Sequence, residues 1–134
     1  NIGGKPLTFE GIVGAQSFQL FNLECAATGI DEKEATISGY NPVSTLVWGN
    51  AIAGTMGQKK LGLKLIADKL SGKLLGAQAV GMAGAIGRIN ALSVALWAGL
   101  NIDEVAYLDL AYSPPYSGAW DIIHNTAQAL RRAI

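Results

Sequence analysis

Charge, cysteine and histidine are all scarce in this chain, and each scarcity removes a class of function. Only 15% of the 134 residues are charged, against about a quarter in an ordinary soluble domain. Ten basic and ten acidic residues cancel to a net charge of zero. That balance leaves no electrostatic footprint for nucleic acid or for an anionic membrane surface. The single cysteine, Cys25, excludes an internal disulfide and fits a reducing compartment, so a cytoplasmic location is expected. The single histidine, His124, has neither cysteine nor carboxylate four residues away and so forms no metal-ligand pair. No run reaches the ~18 apolar residues of a membrane span, because Arg88 and Asn90 interrupt the most apolar stretch, residues 81–100. The N-terminus lacks the basic patch and apolar block of a signal peptide.

Apolar residues, in contrast, make up half of the chain, with a mean hydropathy of +0.29. Such a composition leaves apolar surface for a partner after one core is filled. The length is that of one domain, expected to span residues 1–134. The start at Asn1, without methionine, reads as a fragment of something longer.

Several elements follow from periodicity. Residues 11–21 read as an imperfect strand and Thr36 to Tyr40 as a second, ended by Asn41-Pro42. Between them Asp31 and Glu34 form a capping-box pattern that opens a short helical turn. Lys60 to Leu65 alternates and places Leu61, Leu63 and Leu65 on one face. Turn residues 68–72 then return the chain along Lys73 to Val80, which makes a hairpin. From Gly84 to Gly99 the period becomes helical, through Ile86, Ile89, Ser93, Leu96 and Trp97. Gly99 suits the stop, and Asn101 with Glu104 caps a further short helix. Asp121 falls in the first turn of a final helix on which Ile122, Thr126, Leu130 and Ile134 share a face. The expected class is α+β, an antiparallel sheet with helices packed on one side.

Four residues or motifs invite a chemical role. Gly81, Gly84 and Gly87 resemble a phosphate cradle, but the spacing is not the dinucleotide fingerprint and close packing is the better reading. No cofactor-binding or metal-binding residue is therefore assigned. Cys25 lacks a neighbouring cation in sequence and reads as structural. His124 reads as a solvated or interface side chain. The run Leu108 to Asp121 is more specific, because Pro114 and Pro115 cannot enter a helix or central strand and hold a stiff loop. Tyr112 and Tyr116 flank it, and tyrosine suits a contact surface.

That run, Leu110-Ala111-Tyr112-Ser113-Pro114-Pro115-Tyr116-Ser117, resembles a Leu-Ala-Tyr-Ala-Pro-Pro-Tyr/Phe-Ser motif. The motif stands near the C-terminus of flavin-dependent pyridine nucleotide-disulfide oxidoreductases, in the branch of NADH oxidases, NADH peroxidases and coenzyme A-disulfide reductases. Gly11-Ile12-Val13-Gly14, Phe21-Asn22-Leu23-Glu24, Thr28-Gly29-Ile30, residues 68–76 and Arg88-Ile89-Asn90 are also similar to that family. Residues 41–58 lie outside the likeness.

The resemblance implies the third, C-terminal domain of such an enzyme, whose role is homodimerisation. FAD and NAD(P)H would bind upstream domains of the parent enzyme and not this piece. It also implies that Tyr112 reaches the active site of the other subunit, where a hydroxyl can donate a hydrogen bond to a developing anion. An ordinary interface tyrosine is the open alternative. Tyr112, Pro114, Pro115, Tyr116 and Trp120 form the expected contact surface. The His-Pro of glutathione-reductase-like relatives is replaced here by Ser113-Pro114-Pro115, so His124 does not inherit their acid/base role. A second tyrosine common in coenzyme A-disulfide reductases is absent, Gly54-Thr55-Met56-Gly57 standing in that stretch. The rival expectation is a free-standing interaction protein of the same fold without catalysis.

Overall fold

The computed structural model describes Gly3, Gly4 and residues 6–134. Its centre is a five-stranded antiparallel sheet in the order β1-β2-β5-β4-β3, from β1 (Gln16–Leu20), β2 (Leu23–Gly29), β3 (Pro42–Asn50), β4 (Lys60–Asp68) and β5 (Leu74–Gly81). The β4–β5 hairpin forms as the alternation predicts, in a register that pairs Leu63 with Ala79 and Leu65 with Ala77. Leu61, Leu63 and Leu65 are fully buried.

Three helices cover the face these leucines share: α2 (Ala85–Trp97), α3 (Ile102–Val105) and α4 (Ile122–Arg131). The expected α+β layering holds. Their inward residues, among them Ile89, Leu92, Val105, Ile123 and Leu130, close one core with the sheet. Fully burying each such side chain contributes about 1.5–3 kcal/mol. The short α1 (Glu32–Ile37) instead plugs the end of the opposite face, where Ala35 meets Ile66 and Leu75.

Thr36 to Tyr40 is not a strand. The capping box at Asp31, with both reciprocal bonds formed, carries α1 through Ile37. Pro42 begins β3 rather than ending a strand. It can do so because β3 is an edge strand, whose first residue tolerates a missing N–H. The first strand is shorter than expected, starting at Gln16, and Asp121 is the N-cap of α4 rather than a first-turn residue. Ile134 lies past the end of α4 and is exposed. On α2, Ile86 and Trp97 point to solvent while Leu92 and Ala95 take the core positions.

The remaining apolar composition lies outside the core. One register row across the uncovered sheet face reads Trp48, Gly62, Val80, Cys25 and Phe18. The Trp48 ring rests on Gly62 so closely that a Cβ there would come within 3.0 Å of it. Cys25 is therefore half-buried on an apolar face rather than in the core.

Candidate partner-contact site

The loop from Leu108 to Asp121 joins α3 to α4 and is fixed from three sides. At its start the His124 Nε2–H donates to the Leu108 carbonyl at 2.8 Å. The other ring nitrogen, Nδ1, accepts from the Asp121 N–H at 3.1 Å, which fixes the proton on Nε2. His124 thus replaces the glutamate of an ordinary capping box. Only 8% exposed, it is a buried structural histidine and not the solvated or interface residue expected from sequence. The Trp120 ring meets it edge-on at 5.2 Å.

In the middle, Ser113 carbonyl oxygen accepts from the N–H groups of Tyr116 and Ser117, closing a turn over the two prolines. Ala53 N–H donates to the Pro114 carbonyl at 2.9 Å, so the segment after β3 braces the loop. At the end stands Arg88, from the first turns of α2. Its Nε and Nη2 both reach the Asp121 carboxylate, the shortest contact being 2.7 Å. The same Nη2 donates to the carbonyls of Ala51 at 2.9 Å and Tyr116 at 3.0 Å. The two charged side chains are nearly buried, 11% and 8% exposed. Burial at that level is tolerated only for a paired, hydrogen-bonded charge.

On this frame the expected contact residues stand outward. Tyr112, Pro114, Pro115, Tyr116 and Trp120 are all exposed, Tyr116 by 75%. The Tyr112 hydroxyl makes no hydrogen bond within the described residues. Ile86, Val94 and Trp97 add exposed apolar side chains along α2.

The glycine-rich turn before α2 is not an anion cradle. Glu24 from β2 places a carboxylate oxygen 2.8 Å from the Ala85 N–H, at the position a phosphate would take. Gly84 has φ +76°, and a Cβ there would lie 2.1 Å from Arg88 Nη1. The glycine serves the approach of Arg88, so the residues present do not fit the phosphates of a dinucleotide. Among the described residues no group of three His, Cys, Asp or Glu side chains is placed to hold a metal ion. No helix there is long and apolar enough to cross a membrane.

Two carboxylates near the sheet lie below their ordinary range. The Ser71 hydroxyl, then the Asn41 N–H, hold the Asp68 carboxyl down. Lys64, and then Ser44, do the same for Glu32 against the opposing effect of its burial. Both tie α1 and the turn ends to the sheet and lie outside the loop.

Residues 15–122 match the model of the pyridine nucleotide-disulphide oxidoreductase dimerisation domain. The chain belongs to that family. It is 33% identical over 132 residues to the NAD(P)H sulfur oxidoreductase (CoA-dependent) of Pyrococcus furiosus, covering 98% of this chain and 30% of that protein. With the coenzyme A disulfide reductase of Staphylococcus haemolyticus it shares 34% identity over 122 residues, 91% of this chain and 28% of the relative. The structure of a NAD-dependent persulfide reductase from A. fulgidus superposes with a TM-score of 0.94 at 35% identity. That match covers 98% of this chain and 25% of that one. The chain thus spans less than a third of the length of these relatives.

Arg88 and Glu24 escaped the sequence reading as functional positions. Arg88 carried one signal, a lone cation inside an apolar helical stretch; besides Asp121, its partners are backbone carbonyls that sequence does not mark.

Proposed function

We propose that this chain is the homodimerisation domain of an FAD- and NAD(P)H-dependent oxidoreductase that acts on a disulfide, persulfide, peroxide or oxygen. The observation that carries the reading is the braced proline loop, which holds Tyr112 outward with its hydroxyl unpaired inside the family's dimerisation fold. The names of the relatives, sulfur oxidoreductase and disulfide reductase, support the sulfur side of that range. The chain's own glycine turn is filled by Glu24, which supports flavin and nicotinamide sites on other domains.

In this reading the exposed apolar side chains of α2 and the loop pair with a second copy, and the pairing delivers Tyr112 to the other subunit's site. There its hydroxyl donates a hydrogen bond to the developing thiolate or oxyanion. Such a positioned donor contributes more in a water-excluded site than in solvent. In the whole enzyme, Tyr112→Phe lowers turnover by ~100- to 1000-fold with flavin content unchanged, in the range seen for loss of one donor. Unchanged turnover would reduce Tyr112 to a packing residue.

A further inference from the structure

We infer that Arg88 is a positioning residue for the proline loop, setting the pose in which Tyr112 is presented. For its catalytic consequence this rests on the trans-delivery reading above. The clamp itself rests on bonds within the chain.

One guanidinium holds three separate pieces of backbone in place. It takes the Ala51 carbonyl just past the end of β3, the Tyr116 carbonyl from the loop and the Asp121 carboxylate from the cap of α4. The fourth contact is to its own helix, Nη1 to the Gly84 carbonyl at 3.3 Å. Ala51 is two residues from Ala53, whose N–H grips Pro114. The Arg88 fork therefore fixes both walls of the loop at once. The three acceptors converge on Nη2, while Nε adds a second bond to the Asp121 carboxylate and Nη1 holds the Gly84 carbonyl. A lysine ammonium, one bond shorter and without the planar fork, loses the Nε and Nη1 bonds and falls short of the place Nη2 occupies. Gly84 is the local condition for it, since any side chain there would occupy the guanidinium's place. A shift of about 1 Å in a group that must meet a reacting atom costs up to ~100-fold in rate. A clamp that holds the chain four and nine residues after Tyr112 is thus placed to control turnover without touching substrate.

The discriminating variant is Arg88→Lys in the whole protein, because it keeps a cation beside Asp121 while losing the fork. Hydrogen exchange is followed at Ala53, Tyr116 and Ser117, whose N–H bonds define the loop. A clamp predicts exchange there at least ~10-fold faster, with β4 and β5 amides unchanged. Unchanged loop amides, or a uniform rise through the sheet, would overturn it. Turnover is then compared in two backgrounds. Arg88→Lys lowers kcat by ~10-fold or more with KM within ~2-fold, and has less than ~2-fold effect when Tyr112 is already Phe. Equal effects in both backgrounds would show that Arg88 does not act through Tyr112. If Tyr112→Phe alone leaves kcat intact, the delivery reading fails, and the exchange result still decides the clamp.

Discussion

Removing the Asp121 carboxylate should destabilise the domain far more than an average substitution. In Asp121→Ala the guanidinium of Arg88 stays nearly buried without its counter-ion, a loss of about 3–5 kcal/mol for one half of a buried pair. The Ala51 and Tyr116 carbonyls still accept from Arg88, which favours the lower half of that range. The same change removes the acceptor for the Ile123 N–H at the start of α4, worth about 1 kcal/mol. Together the loss is about 4 kcal/mol. An unfolding entropy of roughly 2.1 cal/mol/K per residue over 134 residues amounts to roughly 0.28 kcal/mol/K. The melting temperature then falls by about 14 °C, read by calorimetry at one fixed protein concentration so that self-association does not enter. Asp121→Ser restores a capping oxygen but no charge, and should recover only the ~1 kcal/mol of the cap. Combining it with Arg88→Met should cost at least ~1 kcal/mol less than the two changes separately, because neither partner is then left unpaired. A fall of less than ~3 °C in Asp121→Ala would refute the buried clamp.

Leu63→Ala opens a cavity at a fully buried position in the central hairpin and should cost about 2.7–5 kcal/mol by denaturant unfolding, with the m-value unchanged. Asp68 and Glu32 have lowered folded-state values, so the stability they give is complete above the ordinary carboxylate values of 3.8 and 4.5. It is lost as pH falls through and below them, since the unfolded chain then binds more protons. Asp68→Asn should therefore flatten the acid limb of a stability–pH curve, and an unaltered limb would count against the Ser71 and Asn41 bonds. Tyr116→Ala removes an exposed loop aromatic, and should weaken self-association by ~10-fold or more with the melting temperature of the dilute chain nearly unchanged.

Legibility in the sequence followed the contrast between the faces of each element. The β4–β5 hairpin was readable because, over residues 60–65, one face of β4 carries leucines and the other lysines and glycine. In β3 the contrast is gone, since Leu46 and Trp48 face outward while Val43 and Val47 face the core. The sequence accordingly assigns no element to residues 43–50, where the structure has a strand. Thr36 and Ile37 carried strand propensity, yet the local capping box overrode it. The exposure of the proline loop was legible from proline chemistry alone. Its bracing was not, because Arg88 reaches Ala51, Tyr116 and Asp121 across 28 to 37 residues of chain. His124 was misplaced for a related reason, its partners being the Leu108 carbonyl and the Asp121 N–H.

Sedimentation equilibrium of the chain over the micromolar range tests the central claim most directly. A homodimerisation domain predicts a mass twice the 14.0 kDa of one chain, weakened by Tyr116→Ala. A single species of 14.0 kDa across that range would contradict it.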